Sequence, residues 1–328
     1  MEQKIKNERI EIIDFLKGIA ILLVIINHSI KLKGVGYSPF QIYQAVPVFL
    51  LIQVFHSKIA FERGKTSYAK YFSLKSITKI LKRIIIPFAI VQLIWSIIFL
   101  IQGQIPWEVL EGGHGPGSYY IWIYLQFWLL IPLFIFFKNR LGVVKTFIIG
   151  FLLSVVEEIL CCLFFDSLPM HISLYRVFAG RYLFLIPLGL LFFDFPIKLN
   201  FLKVFLSIIS VAFINIDRFT DINMSPFFYE SSWSGFHWLS YFYTVFVFMY
   251  LIQWLYKKLH EKIIKVINYL GRISYEIFLS QMLVLGLLIN WESEVLILNV
   301  FIFIVKIALS IIPALIYNKI KDAKCINK

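Results

Sequence analysis

Charged side chains are scarce in this sequence, and their scarcity excludes an ordinary soluble protein. Asp, Glu, Lys and Arg together make up 16% of the 328 residues, whereas hydrophobic residues make up 60%. Soluble domains carry roughly 25% charged residues and about half apolar ones. A single aqueous core could not hide this much apolar surface, so the composition indicates that lipid surrounds much of the chain.

Cysteine is also rare, and we find no linker, low-complexity tract or convincing internal repeat. Cys161 and Cys162 are adjacent, and Cys325 lies near the C-terminus. This spacing fits neither a disulfide framework nor a metal site, so we expect no bound metal. We predict a single integral-membrane domain over residues 1–328 and, because the chain ends soon after its last apolar stretch, no appended hydrolase domain.

Long apolar stretches account for most of the sequence. A helix that crosses a bilayer needs roughly 17–25 residues, and ten stretches reach that length, two of them (40–57 and 177–193) marginally. The predicted fold class is therefore all-α, a polytopic membrane protein with a bundle of about ten transmembrane helices. The ten stretches are approximately 10–30, 40–57, 84–101, 118–137, 144–165, 177–193, 199–216, 237–256, 273–290 and 295–317.

The net charge of +13 does not indicate nucleic-acid binding, because the basic residues follow the predicted topology. With a cytoplasmic N-terminus, 26 of the 32 Lys and Arg residues fall on the cytoplasmic side and five fall outside, while Lys306 lies within the last span. The positive-inside rule predicts such a distribution. We expect a multi-pass protein of the cell membrane, with both termini cytoplasmic and with membrane lipids, not nucleic acid, around it.

The first predicted span carries three ionisable residues that share one helical face. Lys17 and His28 are eleven residues apart, close to three turns, which separates them by roughly 16 Å along the axis. Asp14 lies three residues before Lys17, a spacing that suits an ion pair. Intramembrane ionisable residues are functional candidates. The alternatives are that Asp14 and Lys17 extend to the headgroups and that His28 hydrogen-bonds a neighbouring helix.

Other polar features lie near predicted span ends. Arg181 begins the sixth span, where a carboxylate partner or an anionic substrate would satisfy its charge. The glycine-rich segment 111–117 is interpreted as a flexible re-entry loop that faces outward. Three histidines are expected on the outer side, as scattered surface residues or as the lining of a binding groove: His114, His171 and His237.

The first span also closely resembles the first helix of the integral-membrane acyltransferase 3 family. It reads from Asp14-Phe-Leu-Lys17-Gly18 to His28. The family carries a basic residue, ten intervening residues and then a histidine, with an Asp just before the basic residue. Lys17 stands where the family usually has Arg, which keeps the charge but loses the planar fork of the guanidinium.

The resemblance extends in order along most of the chain, and its specific parts are the first and the penultimate helices. The further stretches that resemble the family are 45–50, 79–88, 115–132, 181–189 and 270–279. One departure is clear, because the family often has a histidine where this chain has Gln281. An amide donates and accepts hydrogen bonds but does not shuttle a proton at neutral pH.

The resemblance implies transfer of an acyl group, most often acetyl, from cytoplasmic acyl-CoA to a carbohydrate hydroxyl. The usual acceptor is a bacterial cell-envelope polysaccharide or its lipid-linked precursor. His28 would be the catalytic residue, with Lys17 and Asp14 organising it or the donor. An imidazole suits proton abstraction from a hydroxyl, and whether His28 is a base or an acyl carrier stays open.

The binding residues that the resemblance implies fall into two groups. Acyl-CoA is polyanionic, so Lys79, Lys82 and Arg83, which run into the third span, are expected to meet its phosphates. Plain positive-inside charge with anionic-lipid contact is the alternative for them. The residues expected to bind substrate are Arg181, Tyr119, Trp122, Gln126 and Gln281.

Two rival functions remain. A transporter or flippase of a lipid-linked sugar would place Lys17 and Arg181 inside a bundle, but it predicts broken helices at matching places in two repeats, which the sequence does not display. The second rival function is an enzyme of the same fold that uses a succinyl or longer acyl donor, or an amine acceptor. Interchangeable apolar side chains would build the acyl pocket, so the sequence does not separate these donors.

Overall fold

In the computed structural model, the chain is helical and has no strand among the residues described, which are 2–29, 39–168, 171–192, 196–219, 229, 235–291, 293 and 295–326. This confirms the all-α class. In chain order the helices are α1 (Glu2–Ser29), α2 (Ala45–Glu62), α3 (Tyr68–Tyr71), α4 (Leu74–Ile80), α5 (Ile86–Ile101), α6 (Trp107–Leu110), α7 (Tyr120–Leu141), α8 (Val143–Phe164), α9 (His171–Val177), α10 (Leu185–Phe192), α11 (Phe201–Phe219), α12 (Met249–Lys258), α13 (Glu261–Arg272), α14 (Ser274–Leu287) and α15 (Leu296–Ile326).

One of two compact units combines the first helix with the C-terminal helices. Helix α1 packs on α13, α14 and α15, and α5 packs on α14. Tyr275 on α14 donates a hydrogen bond from its hydroxyl to the carbonyl of Ile84 at 2.6 Å. Helices far apart in sequence therefore form this unit, which consists of Met1–Ala45, Arg83–Ser118 and Leu259–Lys328.

The second unit is built around α8, which packs on α7, on α10 and on the short turn Gly180–Tyr182. Gly150 of α8 lies directly against the ring of Pro187 on α10, where any Cβ would overlap the proline. Near the end of α2, Glu62 pairs with Lys138 of α7 at 2.7 Å. This unit consists of Val46–Lys82 and Tyr119–Lys258.

Each of the ten predicted apolar stretches contains a helix within its described residues, and eight of the helices in the described ranges are long and apolar enough to cross a membrane. The structure differs from the prediction at two stretches. The apolar helix Phe201–Ile216 is shorter than a full span. Ser274–Leu287 has only 14 residues and joins Glu261–Arg272 at an angle of 73°. Fourteen residues extend about 21 Å, less than the roughly 30 Å of a hydrocarbon core.

Two buried serine hydroxyls within the helices are satisfied locally. The hydroxyl of Ser154 donates to the carbonyl of Gly150 at 2.9 Å, and that of Ser310 donates to the carbonyl of Lys306 at 2.8 Å. Such bonds to the preceding turn satisfy a hydroxyl donor within its own helix. The outer faces instead carry exposed large apolar side chains, including Leu100, Leu163 and Phe301. These features suit a multi-pass membrane protein.

Helices α1 and α13 of the first unit approach each other closely at two glycines. A Cβ atom on Gly18 would overlap the carbonyl oxygen of Ile267, and one on Gly271 would overlap the carbonyl oxygen of Asp14. Only glycine fits at both positions, because the obstructing atoms are backbone and not flexible side-chain ends. The segment between the eighth and ninth predicted stretches contains α13, whose Ile267 and Gly271 are buried.

Gly271→Ala is expected to destabilise the protein by about 3 kcal/mol or more, because overpacking against backbone cannot relax by a rotamer change. Thermal unfolding of the purified protein in detergent measures the loss. Gly103→Ala is the matched control, since a Cβ there meets nothing within 4 Å. Its positive φ of 71° should cost only about 1 kcal/mol. Equal losses in the two variants would contradict the close contact.

Candidate active site

Asp14 and Lys17 form the ion pair that their spacing predicts. Lys17 Nζ lies 2.6 Å from Asp14 Oδ1, and the two side chains retain 24% and 17% of their exposure respectively. The pair flanks the glycine contact, since the Asp14 carbonyl faces Gly271 of α13. A lysine ammonium carries three N–H donors, and Asp14 takes one of them. Lys17 is thus held in a fixed position with donors left for a ligand.

His28 lies at the end of the same helix, and its partly buried ring has no hydrogen-bond or ion-pair partner among the described residues. The helical rise separates it from Lys17 by roughly 16 Å. The next residue, Ser29, is buried, and its hydroxyl has no hydrogen-bond partner in the described part of the chain. A polar group without a protein partner in a low-dielectric environment is available to a ligand.

The glycine-rich loop is firmly held, although the sequence suggested a flexible one. Gln92 of α5 accepts a hydrogen bond from the backbone N–H of His114 at 2.7 Å and donates one to its carbonyl at 3.2 Å. The Ser118 hydroxyl donates to the carbonyl of Gly113 at 2.7 Å. One amide therefore satisfies both backbone groups of His114, and a loop fixed in this way does not act as a flexible lid.

His114 is one of the three histidines that the sequence places on the outer side. Its ring pairs with Glu108 and packs edge-on against Trp95 and Phe99, with centroid separations of 4.3 and 4.9 Å. The imidazole thus has protein partners on several sides. The side chain of His171, the second of these histidines, lies outside the described residues.

Gln281 anchors the other side of the same loop. It is fully buried on α14, and its Nε2 donates to the carbonyl of Pro116 at 2.9 Å. Its Oε1 has no hydrogen-bond partner among the described residues. Gly117 lies against the ring of Phe278, one turn earlier on α14. Gln281 therefore holds the loop with its amide group and leaves one buried acceptor available.

Lys79, Lys82 and Arg83 are exposed, and they lie where the helix changes its winding. The segment Leu81–Ile85 is a π-helix between α4 and α5. Pro87 has no N–H to donate to the carbonyl of Arg83, which explains the wider turn at this point. Such π segments frequently mark functional sites in membrane and soluble helices alike.

Arg181 lies in the second unit and is almost completely buried within an aromatic cage. Its Nη2 donates to the carbonyl of Arg176 at 3.1 Å. Cation–π attraction keeps a guanidinium stable in an apolar environment. The Cζ atom lies 4.9–5.7 Å from the ring centroids of Tyr182, Tyr119, Tyr175 and Phe236.

The carboxylate of Glu157 lies beside the residue that precedes Arg181. The Glu157 side chain rests directly against Gly180, where a Cβ would overlap it. Gln126 fixes the preceding chain, because its Nε2 donates to the Val177 carbonyl at 2.7 Å and its Oε1 accepts from the Ala179 N–H at 3.0 Å. Both polar atoms of the Gln126 amide therefore form hydrogen bonds with backbone groups. Trp122, one turn earlier on α7, is 42% exposed and presents its ring outward.

A second buried polar cluster surrounds Glu158, and sequence reasoning missed it. The carboxylate accepts hydrogen bonds from the Tyr175 hydroxyl at 3.0 and 3.1 Å and from the Tyr229 N–H at 2.7 Å. His237 Nδ1 lies 3.4 Å away, and its side chain is fully buried. The interpretation of His237 as a surface residue is therefore wrong. No local sequence signal joins these residues, because they belong to separate segments.

The structure thus brings Asp14, Lys17, Gly18 and Gly271 together in one contact, joining the two stretches that carry the most specific family resemblance. A family model described as an acyltransferase domain, that of the acyltransferase 3 family, matches residues 10–318. No curated protein and no solved structure matches the chain.

Gln92→Leu is expected to release the glycine-rich loop, because both backbone groups of His114 lose their partner at a cost of about 2 kcal/mol or more. Hydrogen–deuterium exchange at residues 113–118 should accelerate relative to the unmodified protein. The control is Gln104→Leu, the same change at an exposed side chain. Unchanged protection of the loop in both variants would disprove the anchoring role of Gln92.

Proposed function

This chain belongs to the integral-membrane acyltransferase family whose model matches residues 10–318, and on that premise we propose the reaction that it catalyses. It moves an acyl group, most often acetyl, from cytoplasmic acyl-CoA to a hydroxyl of a cell-envelope polysaccharide or of its lipid-linked precursor. A bacterial cell membrane is the setting for such an acceptor. The matched residues run through both compact units, which supports one activity for residues 1–328.

The observation that carries this proposal is the imidazole of His28. It has no partner in the described residues and shares α1 with the Asp14–Lys17 pair. A general base must reach the proton that it abstracts, and a ring already engaged by the protein could not. The arrangement therefore supports His28 as the residue that meets the acceptor hydroxyl.

The reaction needs one proton to move. The imidazole takes the hydroxyl proton while the hydroxyl oxygen attacks the thioester carbonyl carbon, forming the new ester bond. The C–S bond breaks, and the proton passes to the departing sulfur to give the free thiol. No redox partner or metal takes part in this balance. An acyl group found on His28 in the absence of acceptor would make it a carrier instead.

Positive charge on the donor side supports a role in holding acyl-CoA. Lys17 keeps two N–H donors beyond its bond to Asp14, which suits a carbonyl or phosphate oxygen. Lys79, Lys82 and Arg83 are exposed around the π segment and would meet the CoA phosphates. The positive-inside distribution would put these residues, and both termini, in the cytoplasm.

We assign acceptor binding to the residues that the family resemblance implies. Trp122 has a side chain that is 42% exposed and would contact a sugar through its indole. Gln281 has a carbonyl oxygen without a hydrogen-bond partner among the described residues. Arg181 and Tyr119 pack on each other and would act together, and Gln126 would act by fixing the chain before Arg181.

His28→Ala is expected to lower acyl transfer by a factor of at least about 100, because a general base typically contributes that much. Acceptor-dependent release of CoA thiol by the purified protein measures it. His56→Ala is the control, as that histidine is exposed on α2. Acceptor-dependent release that survives in His28→Ala would remove His28 from the mechanism. Movement of a lipid-linked sugar without any turnover of acetyl-CoA or succinyl-CoA would favour the transporter function.

Lys17→Gln is expected to reduce kcat/KM for acyl-CoA by about ten-fold or more, since the charge-assisted bond to the donor is lost. Lys17→Arg should restore most of the rate, because the charge is kept. Steady-state kinetics with acetyl-CoA as the varied substrate distinguish the two. Lys319→Gln at the far end of α15 serves as the control. Equal activity in Lys17→Gln and Lys319→Gln would leave Lys17 with a structural role alone.

A further inference from the structure

The chain between α2 and the third span carries an unusual concentration of positive charge. Residues 63–82 contain six Lys and Arg residues and no Asp or Glu. The carboxylate just before this segment, Glu62, is paired with Lys138 at 2.7 Å. All six basic side chains are exposed: Arg63, Lys65, Lys70, Lys75, Lys79 and Lys82. This surface suits a ligand with several negative charges.

Five aromatic rings gather at the same segment. Tyr71 stacks on Trp128 of α7 with a centroid separation of 5.6 Å and an interplanar angle of 16°. Phe72 packs on Trp128 at 5.3 Å, and Phe61 contacts Tyr68 at 5.0 Å and Tyr71 at 5.5 Å. We call these five residues, all within the second unit, the aromatic cluster.

Two rings of the aromatic cluster are presented outward. Tyr68 is 40% exposed and Phe72 is 41% exposed. Tyr71 lies between them and is turned inward, where its hydroxyl is 3.5 Å from that of Ser57. Burial raises the pKa of the Tyr71 hydroxyl, so the phenol stays neutral and adds no negative charge to this surface.

The backbone of this short segment is fixed by its own side chains. Ser67 caps α3 by accepting a hydrogen bond from the Lys70 N–H at 3.4 Å, and Ser73 caps α4 in the same way. Lys70 Nζ donates to the carbonyl of Lys65 at 2.9 Å. These bonds fix the backbone that carries Tyr68 and Phe72 and hold the side chain of Lys70, whose ammonium keeps further N–H donors.

Flat rings beside clustered cations recognise a nucleotide, because a base stacks on the rings while phosphates meet the ammonium groups. We propose that the aromatic cluster and the lysines of residues 63–82 bind the adenosine 3′,5′-bisphosphate part of CoA. Its base stacks on Tyr68 and Phe72, and its phosphates face Lys65, Lys70 and Lys75. The inference rests on the proposed function, in which acyl-CoA is the donor. In this assignment, the residues that bind the nucleotide differ from His28, which carries out the chemistry.

Binding of CoA, adenosine 3′,5′-bisphosphate and pantetheine by the full chain in phosphatidylcholine nanodiscs tests this assignment by calorimetry. Adenosine 3′,5′-bisphosphate should compete with CoA, and pantetheine, which lacks the nucleotide, should not. The double variant Tyr68→Ala, Phe72→Ala should weaken CoA binding at least about five-fold, the lower end expected for a lost stacking contact. Tyr68→Phe should retain the affinity, because it keeps the ring.

Two control variants distinguish a local effect on the site from unfolding and from a general effect of charge. Phe201→Ala removes a highly exposed aromatic ring at the start of α11 and should leave CoA affinity unchanged. Lys65→Gln with Lys75→Gln should weaken CoA binding and reduce its dependence on salt, whereas Lys319→Gln should leave both unchanged. Elution volume and thermal unfolding confirm that each variant is folded.

Three outcomes would each overturn the nucleotide site, one of them together with the proposed function. Acyl transfer by the unmodified protein with equal CoA affinity in the double aromatic variant would overturn the nucleotide site and leave the proposed function standing. Absence of both CoA binding and acyl transfer would overturn both. If the lysine and aromatic variants lose affinity for phosphatidylglycerol in mixed nanodiscs but not for adenosine 3′,5′-bisphosphate, the segment is a lipid contact and the nucleotide site is overturned.

Discussion

The backbone contact between α1 and α13 is the constraint on which the first unit depends. Gly18 and Gly271 allow each helix to approach the carbonyl groups of the other, at a separation that no residue with a Cβ permits. The same contact fixes Asp14 and its partner Lys17 on the surface of α1. A structural requirement and a candidate catalytic feature therefore lie within one turn of helix, and neither changes without the other.

The lipid around the protein explains why the other buried ionisable residues have aromatic or hydrogen-bonding partners. Arg181 is surrounded by aromatic rings, and Glu158 collects hydrogen bonds from Tyr175 and Tyr229 beside His237. Burial of an isolated charge costs several kcal/mol, so charges within the bundle persist only with such surroundings. His28 is the exception in the described part of the chain, since its ring has no protein partner there. That contrast supports the proposed catalytic role of His28.

Three glutamines show how one residue type takes on different tasks. Gln92 and Gln281 hold the glycine-rich loop from α5 and α14, and Gln126 fixes the chain before Arg181. The sequence alone indicated a flexible loop, because glycine-rich composition is the local signal for flexibility. The partners that remove that flexibility lie some 20 to 165 residues away and leave no trace in the loop itself.

The sequence by itself determined the helical class, the ten apolar stretches, the Asp14–Lys17 pair and the family, because each depends on local periodicity or on a contiguous motif. Only the tertiary structure decided that α13 packs on α1, that α14 in the ninth stretch meets α13 at 73°, that His237 is buried beside Glu158, and that Tyr68 and Phe72 lie outermost in a cluster with Trp128. These features arise from contacts between distant segments, whose geometry is set by packing and not by the order of residues along one helix.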